Sequence, residues 1–225
     1  MIEFLKGYED YFGDWVWEML IASLITMELM LLSFILACAL GLVIALMRIS
    51  QFSVLSGLTK VYIGFFRGVP VLVILYWIYF AMPELGYKVL LISSFTAAVL
   101  GLGIHGSAFL AEVFRSGIEA LDQGQMEAAL SLGMTPSRAL RFIILPQAAR
   151  VVLPPMANYS VGLLKETALC SIIAVPELML RAKDVASSSF LPMHAFVLAA
   201  VFYYIMSFPM MRLVEHLEAK MAVGQ

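Results

Sequence analysis

The apolar residues of this chain are gathered into long runs, rather than spaced along one helix face or alternated along a strand. Residues 19–47 contain a single charge, Glu28, and residues 89–111 and 185–211 contain none. Each run exceeds the roughly 18 residues that a helix needs to cross a bilayer. Backbone polar groups in lipid need partners within the protein, and barrel strands alternate polar with apolar residues, so these runs predict membrane-spanning helices.

Two further segments predict weaker spans because charged residues interrupt them. Residues 61–82 contain Arg67, whose long side chain can reach the interface if it lies near a helix end. Residues 151–174 contain the adjacent pair Lys165 and Glu166. The whole pattern predicts an all-α integral membrane protein with one domain, residues 1–225, and five transmembrane helices at 19–47, 61–82, 89–114, 151–174 and 189–212.

The polar loop between the third and fourth spans, residues 115–150, has local signals for two short helices. One helix is predicted over 125–132, and Gly133 can end it in the left-handed conformation. Thr135 can cap a second helix that has Pro136 at its first position. The loop is therefore predicted to be a helix-turn-helix at the membrane surface, which is a shape suited to a partner's groove.

Composition agrees with the membrane class, since 62% of the residues are hydrophobic and only 13% are charged. The basic residues predict the orientation because cytoplasmic loops are enriched in Lys and Arg. An N-out, C-in arrangement places nine basic residues inside and four outside, and it makes the polar loop cytoplasmic. The inside residues are Arg48, Lys60, Arg67, Arg115, Arg138, Arg141, Arg150, Arg212 and Lys220, and the outside residues are Lys6, Lys88, Arg181 and Lys183.

Within the loop, Glu127-Ala128-Ala129, Gly133 and Ile143-x-Leu145-Pro146 form the pattern EAA-x3-G-x9-I-x-LP. This pattern resembles the cytoplasmic coupling loop of permease subunits of bacterial ABC importers. Other segments follow the order seen in the polar amino acid branch of that family, which includes histidine, glutamine and arginine permeases. They are YIGFFRGVP at 62–70, AEVFRSGI at 111–118, LPP at 153–155, LKET at 164–167 and VPE at 175–177.

The resemblance implies a type I ABC importer permease fold in the bacterial inner membrane, and it implies a mechanical role for the loop. Glu127, Ala128, Ala129 and Gly133 are expected to dock it onto a separate nucleotide-binding ATPase subunit. Arg138 can pair with carboxylates of that partner or with lipid phosphates. The alternative is an amphipathic helix that only lies at the membrane interface.

The chain has no GxxxxGK[ST] phosphate loop, so we expect it not to be an enzyme. ATP and Mg²⁺ are expected on the partner ATPase subunits, and no cofactor, metal or catalytic residue is expected in this chain. Cys38 and Cys170 lie in predicted spans and are expected to be small buried hydrophobic residues. The other expected partners are a second copy or a paralogous permease, a periplasmic solute-binding protein, an amino acid substrate and the lipid bilayer, but no nucleic acid.

Ionisable residues inside spans are costly, and they are therefore candidates for the substrate path. His105 and Glu112 are seven residues apart on the third span, and Asn158 and Lys165 are seven apart on the fourth, so each pair shares a helix face. Lys165 and Glu112 are predicted to hold the two charges of an amino acid if the third and fourth spans meet. Buried ion pairing of Lys165 with Glu112 or Glu166 is one alternative, and an interfacial pair of Glu112 with Arg115 is another. The candidates are Glu28, His105, Glu112, Asn158, Lys165 and Glu166.

The predicted function is the membrane subunit of an ATP-driven amino acid importer that works by alternating access. An alternative is an ion-coupled secondary carrier or channel that uses Glu28, Glu112 and Lys165. Many such carriers have internal repeats, and none is visible here. The transported amino acid, the choice between homodimer and heterodimer, and whether this protomer binds substrate remain open.

Two local features near the fourth span have two interpretations each. Pro154 and Pro155 are expected to lie in the first turn of the span, where proline is tolerated, and the alternative is a hinge. The segment from Val175 to Glu177 and the polar run 181–189 can form a short outer helix that meets a binding protein, or a solvated connector.

Overall fold

The computed structural model describes residues 12–84, 92–120 and 123–222, and every regular element in this part of the chain is a helix. The α-helices are α1 (Phe12–Arg48), α2 (Ser53–Gly68), α3 (Val71–Tyr76), α4 (Met82–Glu84), α5 (Ser94–Glu119), α6 (Gln123–Ser131), α7 (Pro136–Ala139), α8 (Leu145–Glu166), α9 (Leu178–Ser189) and α10 (Pro192–Ala222). Short π-helical segments join α3 to α4 (Trp77–Ala81) and α7 to α8 (Leu140–Ile144), and the 3₁₀ segment Thr167–Ile173 extends α8.

Four helical segments of the described chain are long and apolar enough to cross a membrane, which makes this a multi-pass membrane protein. They are Phe12–Arg48, Ser94–Glu119, Pro136–Ile173 and Pro192–Met221. A fifth span exists only if α2 and the α3–α4 segment are counted together, and these two are bent by 102°. The all-helical class is confirmed, whereas the number of spans and the orientation stay predictions.

The second predicted span, 61–82, is not one straight helix. Its residues divide between α2 and the α3–α4 segment at Val69 and Pro70. Val69 has an extended backbone (φ −96°, ψ 130°), because the ring of a following proline disfavours the α conformation. Pro70 also lacks an N–H to continue the helix, so the hydrophobic run continues through a break that hydropathy does not register.

Helices α1 and α5 pack closely because small residues line their contact. Ser33, Ala37, Gly41 and Ala45, spaced four apart on α1, are all buried. A β-carbon at Gly41 would lie 3.1 Å from the Ser107 carbonyl oxygen, so the two backbones approach too closely for a larger side chain. Small residues are the usual means of close helix association in membranes.

The two loop helices follow the predicted local rules. Helix α6 covers 123–131, close to the predicted 125–132, and Gly133 after it has φ +80°. The Gly133 N–H donates to the Leu130 carbonyl and the Met134 N–H to the Ala129 carbonyl, which is a Schellman motif. Thr135 accepts a hydrogen bond from the Arg138 N–H (3.4 Å), and Pro136 is the first residue of α7, so this cap is confirmed.

The helix of the fourth predicted span begins earlier than predicted. It runs through the π-helical segment into α8, so Pro154 and Pro155 lie in the interior of a helix that starts at Leu145. The expectation that both prolines occupy a first turn is wrong. The charge pattern predicts where the chain enters the membrane, at residue 151. It does not predict where the helix starts, because a helix can begin before it enters the membrane.

The segment after Glu177 is a helix, α9, and it packs into a hydrophobic cluster with the N-terminal part of α1 and with α10. Trp15 and Met19 of α1 meet Leu178 and Ala182 of α9 and Leu198 of α10 in this cluster. Another core lies between α1, α3, α5 and α8. The described residues therefore form two cores at different points along α1.

Candidate functional site

The loop presents one charged residue of its EAA motif and buries one alanine. Glu127 and Ala128 are exposed, whereas Ala129 is buried. The Glu127 carbonyl accepts a hydrogen bond from the Ser131 hydroxyl (2.9 Å), but its carboxylate makes no ion pair among the described residues. The motif thus fixes the helix through Ala129 and leaves Glu127 available to a partner.

Helix α6 rests on the junction between α7 and α8. The Gln147 amide donates to the Gln125 side-chain oxygen (3.3 Å), and Ala139 and Ile144 are buried beneath the turn. The outward surface carries Leu132 at the helix end, 84% exposed, and Phe142, 61% exposed. With the exposed side chains of Arg138 and Arg141 nearby in sequence, the loop offers an apolar and basic surface attached to the start of α8.

Glu112 forms the local ion pair that was one of its predicted alternatives. Its carboxylate oxygen Oε2 accepts hydrogen bonds from the Arg115 guanidinium at 2.6 and 2.9 Å. Arg115 also pairs with Glu119. Since all three residues lie on the last turns of α5, the arrangement is an ion-pair chain along one helix.

Helices α5 and α8 do meet, but in antiparallel order. Gly106 faces Tyr159, and Gly117 faces Val152. This order places Glu112 opposite residues 153–157, which are 8 to 12 positions from Lys165 and hence about 12 to 18 Å away along the axis.

This register does not favour the predicted Glu112–Lys165 pocket, which stays a prediction. The predicted buried ion pair of Lys165 is also absent from the described residues. Lys165 is exposed in this protomer, as are Asn158 and Glu28.

Three other polar groups, one on α5 and two on α8, have no hydrogen-bond partner in the described part of the chain. They are buried atoms: Nδ1 of His105, the hydroxyl of Tyr159 and Oε2 of Glu166. The Tyr159 ring stacks on Phe109 with centroids 5.0 Å apart, and its hydroxyl reaches over Gly106 at the middle of α5. Buried polar groups are normally paired, so these three atoms are candidates for contact with water or with a polar ligand.

Tyr159 was not among the residues selected from the sequence. Its signal was the seven-residue spacing from Glu166, the same spacing that linked Asn158 to Lys165. The two pairs lie side by side on α8, and only packing against α5 shows which of them faces the interior.

The described residues contain no group of three His, Cys, Asp or Glu side chains that could hold a metal ion. Cys170 is buried and Cys38 is half-buried, and both are free thiols.

The sequence of residues 37–223 matches the model of a family described as the binding-protein-dependent transport system inner membrane component. The chain belongs to this family. Its members are components of transport systems rather than catalysts, and the predicted resemblance to ABC permeases is confirmed. The match covers the loop, both helices that flank it and α10.

Relatives with described roles are amino-acid ABC permeases. The probable amino-acid ABC transporter permease protein PatM of Vibrio harveyi is 41% identical over 179 residues, covering 80% of each chain. The probable glutamine ABC transporter permease protein GlnP of Bacillus subtilis is 34% identical and covers 97% of this chain and 99% of its own.

Solved structures agree with the family. A chain from a crystal structure of an amino acid ABC transporter with histidines has a TM-score of 0.85 and 33% identity, and the likeness covers 93% of this chain and 96% of that one. An inward-facing structure of the MetNI methionine ABC transporter has a TM-score of 0.63, with 90% and 94% of the two chains covered. At 20% identity, the second structure shows a shared fold alone.

Proposed function

We propose that this chain is the membrane-spanning subunit of an ATP-driven amino acid importer. The observation that carries the proposal is the exposed EAA helix, which is joined through α7 directly to the long helix α8 in a chain of the permease family. The amino acid substrate class rests on the relatives, whose descriptions name amino acids, glutamine and arginine.

The loop would transmit force from a separate ATPase subunit that binds ATP and Mg²⁺. Glu127, Ala128 and Gly133 form its exposed contact surface and turn, and Arg138 supplies a basic group at its edge. Because α6 packs on the α7–α8 junction, a displacement of the loop shifts α8 along with it. This is the mechanical link that alternating access requires.

The importer would lie in the bacterial inner membrane with its N-terminus outside. Four or five spans enclose a path poorly, so a second copy or a paralogous permease would complete it. A periplasmic solute-binding protein would deliver substrate, as the family description implies.

The substrate path would follow the interface of α5 and α8. The buried atoms without partners in the described chain belong to His105 on α5 and to Tyr159 and Glu166 on α8, and Glu166 can accept hydrogen bonds from a substrate ammonium. Three further candidates have side chains that are exposed in a single protomer: Lys165, Asn158 and Glu28. Glu112 is the weakest candidate, because Arg115 already neutralises it.

Reconstitution with the ATPase and binding-protein partners tests the proposal. Glu127→Lys should leave the assembled complex able to hydrolyse ATP while uptake falls about tenfold or more, because a reversed charge disrupts docking geometry. Glu215→Lys, which reverses an exposed charge on α10 at the same predicted side, is the matched control and should keep wild-type uptake. Normal uptake by Glu127→Lys contradicts the coupling role.

The secondary-carrier alternative is not favoured. Glu112 is held by Arg115, and the family consists of components of binding-protein-dependent systems. Uptake driven by an ion gradient, with neither nucleotide nor a second protein, would reverse this conclusion.

A further inference from the structure

Glu177, at the start of α9, is an unusual residue for its position. Helix N-caps are usually Ser, Thr, Asp or Asn, whose short side chains reach the first free N–H groups. Glu177 caps α9 all the same: its Oε1 accepts from the Leu180 N–H (2.8 Å) and its Oε2 from the Met179 N–H (2.9 Å). The residue is completely buried.

The extra length of the glutamate lets it do more than cap a helix. Its Oε2 also accepts a hydrogen bond from the Tyr203 hydroxyl of α10 (2.9 Å). One carboxylate therefore joins the first turn of α9 to a membrane-spanning helix that is 26 residues away in sequence. An aspartate would be one methylene too short to keep both connections.

Two more polar contacts fasten the same helix to other elements. The Leu178 N–H donates to the Thr26 hydroxyl of α1 (3.0 Å), and Thr26 is completely buried. The Lys183 ammonium donates to the Ser171 hydroxyl in the 3₁₀ segment (2.8 Å). Helix α9 is thus held by side-chain hydrogen bonds to α1, to the end of α8 and to α10, and Glu177 lies at the centre of these links.

We infer that Glu177 is a positioning residue that clamps α9 onto α1 and α10, so that these three helix ends form one rigid outer unit. The exposed side of α9 then carries a fixed charged surface, in which Arg181 lies 3.9 Å from Glu18 of α1 and 3.8 Å from Asp184. The next step rests on the proposed function: the binding protein contacts the permease at this surface. Its alternating charges suit a soluble partner with a polar face.

Hydrogen exchange of the full-length chain in lipid nanodiscs tests the clamp without any partner. Tyr203→Phe removes only the link to α10, and Glu177→Asp keeps an N-cap but shortens the reach. Both variants should raise exchange of the 178–189 amides by about tenfold, as the loss of a buried hydrogen bond predicts. Asp184→Asn, on the exposed side of the same helix, is the matched control and should not change exchange.

If Glu177→Asp and Tyr203→Phe both exchange like the wild type, Glu177 is only a helix cap and the inference is wrong. If Glu177→Asp matches Tyr203→Phe and a double variant is no worse than either, the two residues act through one bond, as the clamp requires. Tyr203→Phe loses a single hydroxyl, so the test does not depend on a variant that fails to fold.

The contact between α9 and the binding protein is measured separately, in the reconstituted transporter. Tyr203→Phe should raise the concentration of loaded binding protein needed for half-maximal uptake several-fold and leave the maximal rate unchanged. A lower maximal rate at unchanged half-saturation would overturn this role for α9. Uptake that needs no binding protein would instead count against the proposed function, while the exchange result would still decide the clamp.

Discussion

At the scale of single residues, Gly106 shows how closely α1, α5 and α8 meet. A β-carbon there would collide with the Tyr159 hydroxyl and lie 3.0 Å from the Ala37 methyl. No larger residue fits unless Tyr159 leaves its place on Phe109. The glycine therefore sets where the unpartnered Tyr159 hydroxyl lies.

Gly106→Ala should lower the free energy of unfolding by about 1 to 3 kcal/mol, as overpacking of a filled core does. It should also reduce uptake more than its stability loss explains, because Tyr159 is displaced. Gly162→Ala is the control: nothing lies within 4 Å of a β-carbon at this α8 position. That change should be neutral or stabilising by about 1 kcal/mol in thermal unfolding. Equal effects of the two variants would contradict the packing argument.

Glu177 should also make stability depend on pH. Burial raises the pKa of this carboxyl above its ordinary value of 4.5, and the hydrogen bonds from Met179, Leu180 and Tyr203, with nearby Lys183, offset only part of the effect. The folded chain then holds its proton to higher pH than the unfolded chain does. Stability should therefore fall as pH rises from the ordinary value through the raised one.

The measurement is the thermal unfolding midpoint from about pH 4 to about pH 8, compared with Glu177→Gln. The variant cannot titrate at this position, so its midpoint should fall less over that range. A wild-type midpoint that rises relative to the variant would mean that Glu177 is ionised in the folded state at all these pH values.

At the scale of elements, the loop helices were predictable because their signals are local. Gly133 ends α6 in the left-handed conformation, and Thr135 with Pro136 starts α7, all within four residues of chain. By contrast, residues 61–82 were predicted as one span, although Pro70 within this run indicates the break at Val69 and Pro70. Hydropathy averages over a window and cannot register a bend inside an apolar run.

Gly133→Ala should destabilise the turn by about 1 to 2 kcal/mol, since an L-residue in the left-handed conformation is strained. The global unfolding midpoint should change little, because the loop lies outside both cores. The expected defect is in coupling: ATP hydrolysis in the complex should continue while uptake falls. Ser131→Ala, two residues earlier and exposed, is the control and should transport normally. Equal uptake by both variants would show that the turn geometry is not needed.

At the scale of the whole molecule, the helix register decides the candidate site. Glu112 and Lys165 were paired from sequence because each lies in a span and their spans were expected to meet. The spans do meet, but antiparallel packing offsets the two residues along the helix axes and brings Tyr159 against Gly106 instead. Two residues 53 positions apart have no local signal for their distance.

By itself, the sequence determined the membrane class, the all-helical fold class, the loop with its turn and the family, because each depends on residues close together in the chain or on ordered motifs. The tertiary structure alone decided that Glu112 pairs with Arg115 and that Glu177 reaches Tyr203. It also decided which buried polar atoms, those of His105, Tyr159 and Glu166 among them, find no partner among the described residues. These outcomes depend on the relative rotation and register of packed helices. Apolar runs specify which helices can enter a membrane. Only the fit of small residues such as Gly41 and Gly106 specifies which faces of those helices meet.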